Sequence, residues 1–154
     1  MELKFLADQP DAVPIIAKWY YSEWGHCDPN NSIEKTCTRI NGKLNKDKVP
    51  LHIIATNRDN VMGVAQLKTH EMSIYPDREY WLGSVYVDTP YRGQKVAQNI
   101  CVHSIKTARS FGIKTLYLQT EALENGGLYG KLGWQPLERV HYNGADVLVM
   151  EKHL

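Results

Sequence analysis

Tyr80-Trp-Leu-Gly-Ser-Val-Tyr-Val-Asp-Thr-Pro-Tyr-Arg-Gly-Gln-Lys-Val-Ala-Gln98 is the stretch whose reading decides the fold. Trp81 to Val87 is a largely apolar run that stops before Pro90, which reads as a strand. From about Val96 to Phe111, the residues Ile100, Cys101, Ile105 and Ala108 recur on one helical face, and Gly112 stands where a left-handed helix cap is favoured. A second strand, Ile113 to Gln119, follows at once. Two strands bracketing a helix are expected to be parallel neighbours joined by a right-handed crossover. The turn between the first strand and the helix contains Arg92 and Gly93. It aims free backbone N–H groups and the positive helix end at one point, which suits an anion and especially a phosphate. Arg92 and Lys95 add charge there. The same letters also fit a capped strand-to-helix connection carrying two surface cations.

Before this segment, Glu2 to Leu6 reads as a short strand and Asp11 to Trp24 as a helix, with Pro14 in its first turn and Gly25 past its end. A second helix is expected from about Ser32 to Leu44. Asn31 and Glu34 have the spacing of a capping box, and Ile33, Cys37, Ile40 and Leu44 share a face. Leu51 to Thr56 and Val61 to Leu67 form a hairpin around Asn57-Arg58-Asp59-Asn60. After the central segment come a short helix near Gly127 to Leu132 and two strands, roughly Trp134 to His141 and Ala145 to Glu151, joined by Asn143-Gly144. The alternation predicts an α/β fold built on a mixed sheet with helices on its faces.

The bulk numbers narrow the function. A chain of 154 residues without repeats or linkers is the size of one domain, residues 1–154. Lys plus Arg number 18 against 17 Asp plus Glu, so no overall field draws the protein to nucleic acid or to an anionic membrane. Cys27, Cys37 and Cys101 are too few and too scattered for a disulfide framework or a zinc cluster, and the six histidines show no HExxH spacing. No metal is expected. With no apolar run of about 18 residues and no signal-peptide pattern, a soluble, cytoplasmic chain is expected.

Arg92-Gly93-Gln94-Lys95-Val96-Ala97 resembles the acetyl-CoA signature of the GNAT superfamily, Arg or Gln, two residues, Gly, one residue, then Gly or Ala. Lys95 stands where that pattern has glycine. Leu128-Tyr129-Gly130-Lys131-Leu132-Gly133-Trp134 is similar to a second segment of the same superfamily, Leu-Tyr-x-Lys-Leu-Gly-Phe, in the expected order and separation. A P-loop ending on Gly130-Lys131 is excluded, because it needs glycine at Asn125 and a hydroxyl at Leu132. The Glu23-Trp-Gly-His26 segment is similar to one in a bacterial branch of the superfamily.

The resemblance implies a GNAT-like fold, a central mixed sheet of about seven strands flanked by about four helices. It implies an acetyl-CoA-dependent N-acetyltransferase acting on a primary amine, a small molecule or a peptide, by direct attack in a ternary complex. Val85, Tyr86 and Val87 would meet the thioester and the pantetheine arm with backbone groups, and Arg92, Gly93, Gln94, Lys95, Val96, Ala97 and Gln98 would hold the pyrophosphate. Tyr129 would protonate the departing thiolate, since an ordinary phenol is protonated at neutral pH. Lys131 adds a cation nearby, and Asn125 either bonds the pantetheine or caps the short helix. A base facing the acceptor is sought among His70, Glu71, Asp77 and Glu79, with Glu71 preferred for its place near a strand end. Trp19, Trp24, His26 and Trp81, with Tyr20 and Tyr21 beside them, form a candidate acceptor wall. Helical spacing equally lets Ile16, Trp19, Tyr20 and Trp24 pack on the sheet, and that reading is favoured. Cys101 is read as a packing residue. A homodimer through the terminal strands is a habit of the family. The rival reading is a non-catalytic CoA-binding module in which Lys95 has compromised the cofactor turn; a longer acyl donor is also open.

Overall fold

The computed structural model describes all 154 residues. Seven strands form one sheet: β1 (Glu2–Phe5), β2 (Leu51–Asn57), β3 (Asn60–Thr69), β4 (Tyr80–Val87), β5 (Thr115–Thr120), β6 (Gln135–Tyr142) and β7 (Ala145–His153). Their spatial order is β1-β2-β3-β4-β5-β7-β6. Four α-helices accompany them: α1 (Val13–Glu23), α2 (Ile33–Asn41), α3 (Val96–Ser110) and the one-turn α4 (Leu128–Lys131). No helix is long and apolar enough to cross a membrane.

The local chemistry accounts for most boundaries. Pro14 lies in the first turn of α1, where its missing N–H costs nothing. The cap of α2 is Ser32, whose Oγ accepts the Lys35 N–H at 3.0 Å, and not Asn31 as the spacing suggested. Ser32 is the residue with extended backbone at that entry, so its hydroxyl can turn back on the helix. Asn31 Oδ1 instead accepts from the Ser32 N–H and from Arg39. The β2–β3 hairpin pairs Asn57 with Asn60, which tightens the expected turn to Arg58-Asp59. Asn143 and Gly144 both have positive φ, as the two-residue turn between β6 and β7 requires. The last strand does not sit at the sheet edge. It inserts between β5 and β6, antiparallel to both.

Alternation along the strands divides the core between the two sheet faces. Leu51, Ile53, Ala65, Leu67 and Leu82 pack with α3 through Ile100, Ile105 and Ala108. On the other face, Ile54 and Val64 pack against Ile16 and Ala17 of α1 and Ile40 of α2. No helix continues that second cover over β5 and β7. There the loop of residues 70–79 folds across the sheet, and its Met72 packs with Trp81, Val147 and Val149. Ser73 and Tyr142 join this loop to the β6–β7 hairpin, the backbone N–H of Ser73 donating to the phenol oxygen at 3.2 Å. A gap is left between the helical cover and the loop cover.

The central strand β4 is irregular beside this gap. Val64 pairs with Tyr86 but Gln66 pairs with Gly83, so two steps along β3 face three along β4. Ser84, inside the extra step, has φ of 51°. Such a bulge bends its strand. The parallel neighbours β4 and β5 accordingly share a single registered pair, Trp81 with Tyr117, and part beyond it.

Trp81 holds the junction. It is wholly buried, its ring centroid is 5.6 Å from that of Tyr117, and its indole N–H donates to the Arg78 carbonyl at 2.7 Å. Trp81→Ala is expected to cost about 3–5 kcal/mol of stability, read as a lowered urea midpoint with an unchanged slope. A loss below about 1 kcal/mol would show that the junction does not depend on this side chain.

Candidate active site

The turn from β4 to α3 is built by its own polar groups. Asp88 Oδ1 accepts the Thr89 N–H at 3.0 Å, a short 3-10 turn follows over Thr89–Tyr91, and the Arg92 Nε–H donates to the Val87 carbonyl at 2.9 Å. That bond brings the Arg92 guanidinium to 5.5 Å from the centroid of the Tyr86 ring. Gly93 and Lys95 both take the left-handed backbone, at φ of 80° and 62°. A lysine pays about 1 kcal/mol to do so. Lys95 therefore keeps the conformation that glycine favours at this place in the motif, and the turn is not closed by its substitution. At the N-cap Lys95 supplies no side-chain acceptor, so the first-turn amides of α3 remain open to an incoming anion. They border a cavity of about 370 Å³ lined by Val87, Gly93, Lys95, Ala97, Gln98 and Leu128, among others.

A second cavity, of about 880 Å³, occupies the gap between α1–α2 and the loop of residues 70–79. Val85 borders it while Val87 borders the first, and Tyr129 borders it while Leu128 borders the first. The two spaces therefore adjoin along the open edge of β4 where β5 has moved away, with α4 beside them.

Tyr129 stands at this meeting point. Its ring is edge-on to Trp134 at 6.3 Å, and burial pushes its phenol well above the usual range, the nearby Cys101 thiol and Glu71 carboxylate adding to the shift. The phenol stays protonated throughout the neutral range. Cys101 is itself fully buried and its thiol is pushed up to about 12 by desolvation, which makes it inert packing material.

Of the four candidate bases, Glu71 alone lines the large cavity; His70, Asp77 and Glu79 are exposed and do not border it. Glu71 pairs with Lys68 at 2.5 Å through Oε1 and leaves Oε2 buried without a partner. The pair arches over Gly83, where a Cβ would lie 2.7 Å from both Glu71 Oε1 and Lys68 Cε. Only the flexible ends of these two side chains stand where a Cβ would go.

The aromatic wall is only partly as anticipated. Trp24 borders the large cavity and is half-exposed, packing edge-on to Tyr86 at 6.5 Å. Trp19 packs tilted against Tyr86, ring centroids 5.1 Å apart, within the helix–sheet core, and Trp81 is buried at the strand junction; neither reaches the cavity. His26 is exposed outside it, its Nδ1 beside the Tyr21 carbonyl. Asn125 and Lys131 are exposed and border neither cavity, and Gly127 rather than Asn125 precedes α4. Asn125 has φ of 58°, and its carbonyl packs directly beneath Gly130.

The residues that pattern reading missed form the floor. His52, Gln66 and Gly83 lie in one cross-strand row, because β2 pairs His52 with Gln66 and β3 pairs Gln66 with Gly83. His52 is 2% exposed and Gln66 5%, yet Gln66 Nε2 lacks a hydrogen-bond partner, and the His52 ring and the Tyr20 hydroxyl above it have no well-formed bond beyond their approach to the Lys43 backbone and to Ser84. Desolvation, reinforced by the Lys43 and Lys68 charges, pushes the His52 imidazole down to about 3, so it is neutral at pH 7. A polar residue interrupting each of two apolar runs, paired by the hairpin register, was the available signal.

The family model described as the acetyltransferase (GNAT) family matches residues 11–134. The chain belongs to the GNAT acetyltransferase family and is an acyltransferase. It is similar in fold to an aminoglycoside 6'-acetyltransferase of type Ii, at 16% identity and a TM-score of 0.75, covering 99% of this chain and 97% of that one. An aminoglycoside 6'-N-acetyltransferase complexed with coenzyme A gives 14% identity, a TM-score of 0.75 and the same coverage. The ribosomal-protein-alanine N-acetyltransferase of Brucella melitensis gives 19% identity and a TM-score of 0.74 over 100% of both chains. A search of curated protein sequences returns no match.

In Gly83→Ala only flexible side-chain ends must move, so the melting temperature is expected to change little while the acceptor KM rises; a large thermal loss would contradict this packing. Between about pH 6.5 and 3 the unfolded chain binds a proton that folded His52 refuses, so stability falls on acidification through that window. The loss from this group at pH 5 is about 2 kcal/mol. His52→Gln should narrow the gap between urea midpoints measured at pH 7 and pH 5, and an unchanged gap would remove His52 as its source.

Proposed function

We propose that the protein is an N-acetyltransferase that moves the acetyl group of acetyl-CoA to a primary amine by direct attack, donor and acceptor being bound together. The observation that carries this reading is the pair of cavities adjoining along the open edge of β4, one headed by the first-turn amides of α3 and the other floored by polar side chains. The left-handed backbone at Gly93 and Lys95, with the open amides of Val96, Ala97 and Gln98, suits a diphosphate; Arg92 and Lys95 add charge. Val85 and Val87 have no β5 partner and, the Val87 carbonyl being held by Arg92, the other backbone groups on that edge suit an extended pantetheine arm and a thioester oxygen. Acetyl-CoA supplies the activated acetyl group.

The chain's own residues then manage protons. Glu71, with Oε2 free, accepts a proton from the acceptor's ammonium and so frees the nitrogen lone pair. Tyr129 donates to the sulfur as charge builds there. The carbon–nitrogen bond forms as the carbon–sulfur bond breaks; of the two protons shed by the ammonium, one ends on the sulfur through Tyr129 and the other leaves through Glu71 to solvent. The preserved backbone at Lys95 argues against the non-catalytic module, whose premise is a spoiled turn.

Thiol release from acetyl-CoA across a panel of amines tests the reading; binding of acetyl-CoA without transfer to any amine would favour the module instead. Within an active pair, Tyr129→Phe should lower kcat on the order of 10²-fold with little change in the KM for acetyl-CoA. An unchanged kcat would remove Tyr129 from the acid role.

A further inference from the structure

The large cavity has an uneven supply of hydrogen-bonding groups. At its inner end Gln66 Nε2 is an open donor, beside the Tyr20 hydroxyl, which lies near Ser84, and neutral His52, which lies near the Lys43 backbone. Two cations, Lys43 and Arg39, also border it, and neither forms an ion pair. Arg39 bonds only to the neutral Asn31 Oδ1 and Thr36 Oγ1, both at 3.2 Å. Lys68 is matched by Glu71. The other cavity carboxylates, Glu23 and Glu121, are exposed and are not among the charges felt at His52 or Lys43. Lys43 is pushed below its ordinary range by burial and by its like-charged neighbours Lys68 and Arg39. A donor-rich pocket with uncompensated positive charge, half out of water, is completed by an oxyanion.

The opposite end of the floor is where Glu71 arches over Gly83 beside Tyr129. His52 and Gly83 are two strands apart, so the two ends are separated by roughly 10 Å at the usual interstrand spacing. Resting on the transferase reading above, we propose that the acceptor is an amine carrying a remote carboxylate, with its amino group between Glu71 and Tyr129 and its acid group at Lys43 and Arg39 over His52 and Gln66. A span of this order suits an amine and an acid separated by several atoms better than an α-amino acid held by its own α-amine. The carboxylate contributes binding and orientation only; the transfer step is unchanged, with carbon–nitrogen formed, carbon–sulfur broken, and one proton each to sulfur and solvent.

The test compares glycine, 4-aminobutanoate and 6-aminohexanoate with 6-aminohexan-1-ol, which has the same amine and no charge at the far end. Thiol-release kcat/KM should rise along the acid series. 6-Aminohexanoate should exceed the alcohol by about tenfold or more, the factor expected of a charge-assisted hydrogen bond. Lys43→Gln should bring that ratio close to one. Equal use of the alcohol, a preference untouched by Lys43→Gln, or glycine as the best acid would each overturn the proposal. O-phosphoethanolamine preferred over ethanolamine, with no preference for the carboxylated amines, would assign the site to phosphate and overturn it too. A second arm needs no turnover: 6-aminohexanoate should shift the imidazole NMR signals of His52, assigned by their loss in His52→Gln, and the alcohol should not. If no amine supports thiol release, the transferase reading fails while this arm still decides the anion site. Absence of a His52 shift with 6-aminohexanoate sinks it.

Discussion

The contact between β4 and β5 governs the rest of the molecule. Parallel neighbours ordinarily zip along their length, but here one registered pair, Trp81 with Tyr117, is all that forms. The bulge at Ser84 bends β4 away before a second pair can close. An unpaired strand edge inside a protein is costly unless something bonds to it. The open edge lies between two cavities, where a polar, extended ligand arm can replace the missing strand. Burial of Trp81 at the junction keeps the parting from spreading down the sheet.

The second constraint is the incomplete cover on one sheet face. Helices α1 and α2 cover β2 and β3 there, and the loop of residues 70–79 covers β5 and β7. Between them the floor is polar, and His52 and Gln66 have unmet hydrogen-bonding capacity although they are almost wholly buried. Such groups destabilise a fold by roughly 1–3 kcal/mol each when left unpaired. These groups line the large cavity and are not sealed inside the core.

Much of this was legible in residue order. The run from Tyr80 to Gln98 marked strand, turn and helix, and the turn chemistry of Asn57-Arg58-Asp59-Asn60 and Asn143-Gly144 marked both hairpins, because these features depend on neighbours a few positions away. The α2 cap was misplaced by one residue, since Asn31 and Ser32 are both competent and only the chain's entry path selects between them. The aromatic wall was overread. Trp19 and Trp81 share their composition with Trp24, but burial, which is set by what packs over them, separates the three.

By itself the sequence determined the element types, the family and the strand–turn–helix unit around Arg92 and Gly93, because hydrophobic period, capping and turn chemistry are local properties of the chain. Tertiary structure alone decided that β7 inserts between β5 and β6, that β4 and β5 part after one pair, and that His52, Gln66 and Gly83 line up beneath Glu71 and Lys43. Those outcomes rest on strand register and on which covers meet over the sheet. Both are fixed by contacts between residues far apart in the chain, whose mutual distance no local pattern encodes.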